Sequence, residues 1–290
     1  MPAFSIQPSA PIAVFDSGLG GLTVVRALQR RLPREKLIYF GDTARVPYGS
    51  KSPRTVLQFA RQCLHFLTQF KPKLMVVACN TVSATALQSL HQDFVIPIIG
   101  VLEPGAVAAV AASARIPAGQ GRRIGLIATE ATIASQAYNQ AVSRLDPTIQ
   151  VLGRACPLLV PMIEEGRLPE SPVVRSVLQE YLQPFKSLQV PVLILGCTHY
   201  PIFSQAIEQT LGVPTTLIDS ADQTALVVAE KLATMHWAND VGDNLADGLT
   251  CYVTDQGQRF ESLAGRFLGR SITQPVWVEP ERLENPTVEK

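Results

Sequence analysis

The chain has 290 residues, 47% of them hydrophobic, enough to bury a sizeable core in one large domain or two ordinary ones without staples. Its formal charge of +1 supplies no field for a nucleic acid or an anionic membrane, and the pairs Arg30-Arg31 and Arg122-Arg123 are too short to change that. The five cysteines (63, 79, 156, 197, 251) show no C-x-x-C pair or metal-type spacing, Met1 to Pro11 lacks the layout of a secretory signal, and the low-charge stretch 101–114 is broken by Glu103 and Pro104, so a soluble, reduced, cytoplasmic protein is expected.

Short β-branched runs alternate with longer amphipathic stretches, the pattern of parallel α/β architecture. Strands are predicted at 12–15, 37–40, 74–78 and 97–101, with helices near 21–32, 52–70, 82–92 and 104–113. A second series has strands at 123–128, 149–152, 192–196 and 215–218, with helices near 132–144, 172–187, 202–211 and 221–237. A strand at 249–253, a helix at 258–268 and a strand at 275–278 come last, and 279–290 reads as a tail. Ser52-Pro53 is an N-cap with proline at the first helical position, and Thr81 or Ser83 is expected to cap the helix after Cys79.

The two series are alike in detail. Val76-Val77-Ala78-Cys79-Asn80-Thr81 and Ile194-Leu195-Gly196-Cys197-Thr198-His199 each end an apolar run with a cysteine and polar side chains. Each follows another apolar run, at Ile12 and at Ile124, by roughly seventy residues, and each precedes an apolar-proline pair, Ile96-Pro97 or Val213-Pro214. The expected fold is therefore two pseudo-symmetric parallel-sheet α/β lobes with a cleft between them and a thiol on either wall. One lobe comprises 1–103 and 219–290, and the other, 104–218, is inserted between them. A planar intermediate held between such walls can be protonated from either side.

Asp16-Ser17-Gly18-Leu19-Gly20-Gly21 joins a strand to a helix, where backbone N–H groups can take an anion such as a carboxylate. It is not the dinucleotide fingerprint, since Thr23 stands where that motif needs glycine and Asp16 would crowd a pyrophosphate. Asp16 beside that ring suits an ammonium next to a carboxylate, the pair that an amino-acid zwitterion presents. The loop Gly41 to Gly49 carries a Pro47-Tyr48-Gly49 turn that would expose amides and a phenol at the same sheet end. Cys63, Cys156 and Cys251 read as buried small hydrophobes, whereas Cys79 and Cys197 stand at strand ends where a helix N-terminus can ease ionisation. His199 is two residues beyond Cys197, while His65, His91 and His236 fall in helices and Glu164 reads as solvated on residue physics alone.

These motifs together resemble the cofactor-independent glutamate racemases of bacterial cell-wall synthesis. The likeness runs nearly end to end: Phe15 to Gly21, Val46 to Gly49, Ala78 to Thr81, Thr129 to Tyr138, Cys156 to Gly166, Gly196 to Pro201, and Asp219-Ser220. It implies an isomerase that makes D-glutamate for peptidoglycan with no cofactor and no metal. It implies that Cys79 and Cys197 are the paired acid and base, Cys79 acting on the D-isomer and Cys197 on the L-isomer. Asp16, Glu164 and His199 would assist them, and Asp16, Ser17, Pro47, Tyr48, Gly49, Asn80, Thr81, Thr198 and His199 would hold the substrate. The expected partners are L- and D-glutamate and a second copy in a homodimer, with no nucleic acid and no membrane. Two alternatives are an aspartate or hydantoin racemase of the same superfamily, and a two-lobed amino-acid-binding protein without turnover.

Overall fold

The computed structural model describes residues 6–115, 122–240, 248–256, 260–272 and 274–284. Its ten strands are β1 (Ile12–Asp16), β2 (Leu37–Gly41), β3 (Leu74–Val77), β4 (Ile98–Gly100), β5 (Arg123–Ala128), β6 (Gln150–Ala155), β7 (Val192–Gly196), β8 (Thr216–Asp219), β9 (Leu249–Val253) and β10 (Val276–Trp277). They form two sheets, ordered β10-β9-β2-β1-β3-β4 and β6-β5-β7-β8, and every pairing is parallel. Setting β1 to β4 on β5 to β8 makes the two orders identical, so the sequence repeat is a repeat of topology, with β9 and β10 added to the first sheet's edge. Cys79 and Cys197 follow the equivalent strands β3 and β7.

The central strands β1, β3 and β7 are buried at every position, which is why their sequences run continuously apolar: helices cover both faces of a parallel sheet. One hydrophobic core joins the sheets, containing Ile12, Val14 and Val76 of the first together with Leu193 and Leu195 of the second. Separate cores lie beneath Phe15 and Phe40 in one lobe and beneath Ile124 and Ile194 in the other. The two chain crossings between sheets run in helices Leu102–Ser113 and Ser220–Thr234, which pack on each other.

Ser52 caps helix Pro53–Thr68 as expected, its Oγ accepting from Thr55 N at 3.3 Å with proline at the first position. Thr81 and Ser83 do not cap. The helix after Cys79 begins at Asn80, and the Ser83 hydroxyl instead donates to Val77 O at 3.2 Å. That helix also ends early, at Thr85, and a second runs Leu87–Asp93. The segment predicted as one helix at 132–144 is likewise two, Glu130–Ala134 and Ala137–Leu145, separated where Gln136 takes φ +56°. Strand β6 extends beyond its predicted end because, as a partly exposed edge, it carries Gly153 and Arg154 where a buried strand would be apolar. The predicted tail contains a helix, Pro280–Glu284; residues 285–290, like 258 and 259 of the predicted helix 258–268, lie outside the described residues.

Candidate active site

Both thiols open onto one cleft at the carboxyl ends of the strands. Its walls are Ser17, Val46, Pro47, Tyr48, Gly49, Cys79, Asn80 and Thr81 from the first lobe, with Thr129, Val160, Cys197, Thr198 and His199 from the second. The space between these walls, solvent at the cleft's mouth included, is about 310 Å³. A larger depression, about 520 Å³, lies beside Leu249, Thr250, Cys251 and Arg270. Chemistry separates the two, since only the smaller brings nucleophilic side chains from two lobes to face each other. Among the described residues no group of three or more His, Cys, Asp or Glu is placed to hold a metal ion, and no helix is long and apolar enough to cross a membrane.

On the second-lobe wall, Cys197 Sγ lies 3.8 Å from His199 Nδ1, and His199 Nε2 lies 3.0 Å from Glu164 Oε1. The imidazole is thus strung between a thiol and a carboxylate, with the Phe267 ring edge-on at 5.1 Å. Burial, the largest single influence, disfavours the imidazolium. The hydrogen bonds and negative charge of Cys197 and Glu164 together outweigh it and bring the His199 pKa up to about 10. A protonated His199 places a positive charge next to the Cys197 sulfur. Glu164 reaches His199 because the chain turns through a short helix, Leu159–Glu164, that periodicity did not reveal with Pro161 inside it and Pro157 just before it.

On the first-lobe wall, Cys79 Sγ sits 3.4 Å from Ser17 Oγ. Burial, reinforced by the Asp16 carboxylate, pushes the Cys79 thiol up to about 12, so this sulfur rests protonated. Asp16 stands behind the wall, fully buried, its own pKa raised chiefly by desolvation and drawn back by the His199 charge and by Gly18 and Gly21 N–H groups. Gly18 N donates to Asp16 Oδ2 at 3.0 Å and Thr198 Oγ1 to Asp16 Oδ1 at 3.5 Å. The loop amide expected to meet a substrate carboxylate is therefore used by Asp16 itself, and Asp16 reaches across to the other lobe through Thr198. Gly20 makes this approach possible: a Cβ there would fall 2.3 Å from Thr198 Oγ1 and 2.6 Å from His199 Nδ1.

The Val46 to Gly49 segment forms a wall, but the Tyr48 phenol does not project into the cleft. It donates to Asp42 Oδ2, which also accepts from Arg45 Nε at 2.7 Å, while Asp42 Oδ1 accepts from Thr254 Oγ1 at 3.0 Å. A buried carboxylate needs such donors, and Tyr48 supplies one, leaving its backbone for the cleft. Pro47 follows a cis peptide bond. Gly49 is pressed against the second lobe, with space for a Cβ closed by Thr129 at 2.5 Å.

Thr129 and Val160 are lining residues that the sequence reading did not single out. Thr129 follows β5 as Ser17 follows β1, so the internal repeat itself marked the place. Its Oγ1 lies 3.0 Å from Thr81 Oγ1 and 3.0 Å from Thr132 Oγ1, a chain of hydroxyls that joins the lobes. His65, His91 and His236 are exposed, and Cys63, Cys156 and Cys251 are buried and free.

The comparisons with known proteins agree with this geometry. A family model described as Asp/Glu/Hydantoin racemase matches residues 20–228. The glutamate racemase of Syntrophus aciditrophicus (strain SB) is 45% identical over 262 residues, 90% of this chain and 94% of the relative. The crystal structure of glutamate racemase from Francisella tularensis subsp. tularensis SCHU S4, in complex with D-glutamate, superposes with a TM-score of 0.85 at 37% identity, covering 94% of this chain and 98% of that one. That from Thermus thermophilus, in complex with β-chloro-D-alanine, does so with a TM-score of 0.81 at 42% identity, over 95% and 99%. A repeat that is topological as well as sequential, two facing thiols, and likeness of this extent together establish that the chain belongs to the Asp/Glu/Hydantoin racemase family.

Proposed function

We propose that this protein interconverts L- and D-glutamate by a two-thiol acid/base mechanism and so supplies D-glutamate for peptidoglycan synthesis. The observation that carries the reading is that Cys79 and Cys197 line one cleft from different lobes. Cys79 rests protonated, and Cys197 stands beside a protonated His199. The curated relatives named glutamate racemase and the D-glutamate complex of the Francisella protein support glutamate as the substrate.

In the L-to-D direction Cys197 acts as thiolate and takes the α-hydrogen of L-glutamate, and the Cys79 thiol delivers its proton to the opposite face. D-Glutamate is released with Cys79 as thiolate, and proton exchange with solvent restores the pair. Running the steps backwards consumes D-glutamate. The α-hydrogen is very weakly acidic, so the carbanion or enediolate must be stabilised by hydrogen bonds to its carboxylate in a site closed to water. Asn80, Thr81, Thr198 and the backbone of Pro47, Tyr48 and Gly49 are placed for that task, with Ser17 beside Cys79. Asp16, Glu164 and His199 fix the protonation of the sulfurs. We further assign 1–103 with 219–290 and 104–218 to two lobes that part to admit substrate, the two crossing helices serving as hinge.

Purified protein, dialysed against a metal chelator and given no pyridoxal phosphate, is expected to bring either pure enantiomer of glutamate to a racemic mixture, followed by circular dichroism. Activity restored only by added pyridoxal phosphate or metal would refute the mechanism. Faster racemisation of aspartate or a hydantoin would refute the substrate.

A further inference from the structure

Asn80 lines the cleft next to Cys79 and is 4% exposed, so its buried amide must find partners for both ends. One partner is visible. Tyr138 OH donates to Asn80 Oδ1 at 2.7 Å. Tyr138 lies on helix Ala137–Leu145 of the second lobe and is fully buried, whereas Asn80 opens the helix after β3 in the first. Burial raises the phenol pKa, so the hydroxyl keeps its proton near neutrality and can donate it. With Oδ1 turned toward the phenol, Nδ2 is the end of the amide that points away from it, and its two hydrogens are donors.

We infer that Tyr138 is a positioning residue: by holding Asn80 Oδ1 from across the lobe interface, it turns Asn80 Nδ2 into the cleft as a hydrogen-bond donor to the substrate α-carboxylate. The inference rests on the racemase reading and adds to it the group that orients the donor. Charge accumulates on that carboxylate as the α-hydrogen leaves, so a donor aimed there binds the enediolate more strongly than the ground state. Because the phenol and the amide belong to different lobes, the donor is aimed only when the lobes are together. Cleft closure and assembly of the carboxylate site are then one event.

The test measures kcat and KM for L- and D-glutamate in the wild type, Tyr138→Phe, Asn80→Ala, Asn80→Asp and the Asn80→Ala/Tyr138→Phe double variant, with Tm and the pH dependence of kcat alongside. Asn80→Ala should lower kcat by about 10²-fold, the scale for removing one such donor. Tyr138→Phe keeps the donor but frees it to turn, and should lower kcat about tenfold in both directions without moving the pH profile, since the carboxylate is common to both reactions. The double variant should be no slower than Asn80→Ala alone, the non-additivity expected if Tyr138 acts through Asn80. Asn80→Asp keeps the acceptor for Tyr138 while removing the donor, and should be as impaired as Asn80→Ala. Tyr138→Phe kinetics within twofold of wild type, fully additive losses, a loss in one direction only, or an active Asn80→Asp would each overturn the proposal while leaving a racemase. A wild type that does not racemise glutamate would instead overturn the reading on which it rests.

Discussion

Cys79→Ser and Cys197→Ser are each expected to lower racemisation by about 10²- to 10⁴-fold, the usual contribution of one positioned proton-transfer group, while leaving a folded protein. A serine hydroxyl has nearly the volume of a thiol but is far too weak an acid to ionise near neutrality. The altered side can no longer abstract, whereas the opposite sulfur still can. Cys79→Ser retains the Cys197–His199–Glu164 string and should exchange the α-hydrogen of L-glutamate with solvent. Cys197→Ser retains Cys79 and should exchange only that of D-glutamate. A β-chloro analogue, from which abstraction expels chloride, reads the same asymmetry as one-sided elimination. Proton NMR in deuterium oxide checks both. Near-normal racemisation in either variant, or both acting on the same enantiomer, would show that the sulfurs do not work as an opposed pair.

The second large effect concerns the groups behind the sulfurs. His199→Asn removes the cation between Cys197 and Glu164, and kcat from L- to D-glutamate should fall by about 10²-fold, more than in the reverse direction. Asp16→Asn alters the carboxylate that keeps Cys79 protonated, and should show the opposite asymmetry. The asymmetry must lie in kcat and KM separately, because an equilibrium constant of one requires kcat/KM to remain equal in the two directions in every variant. His199 and Asp16 also sense one another electrostatically, so the double variant should lose less than the product of the single losses. Equal kcat losses in both directions for both variants would break the assignment of one assisting group to each sulfur. Glu164 is partly exposed, with 27% of its side chain open to solvent, so losing His199 leaves a hydrated carboxylate and not a buried orphan; the melting temperature should move little.

Much of this was written in the chain in a form that local patterns can carry. The apolar runs of β1, β3 and β7 are buried strands, and the two cysteine motifs announced a duplicated unit whose strand order the structure repeats. What the sequence concealed depends on contacts between distant residues. Nothing local says that the Tyr48 phenol turns to Asp42, since that follows from a buried carboxylate gathering donors from Arg45 and Thr254 as well. The Gly18 amide taken by Asp16 is the one local contact among these, an Asx turn two residues long that competes with anion binding by the same N–H. Glu164 looked solvated until the short helix before it brought its carboxylate to His199. Thr129 was within reach, because the repeat sets the end of β5 against the end of β1, but its hydroxyl partners come from Thr81 and Thr132 after folding. The helices broken near Ala86 and Gln136 read as continuous because amphipathic periodicity survives a break of one or two residues.

In the two-thiol mechanism the hydrogen leaves toward one sulfur and returns from another. L-Glutamate followed in deuterium oxide through the first few per cent of conversion, with mass spectrometry of the separated enantiomers, shows whether it does. The expected product is D-glutamate carrying deuterium at the α-carbon while the remaining L-glutamate keeps its protium. Removal and delivery then belong to different groups, and the Cys79 thiol has equilibrated with solvent before it acts. D-Glutamate that keeps the original protium, or L-glutamate that exchanges faster than it racemises, would mean that one group serves both faces, and would rule out an opposed pair of sulfurs.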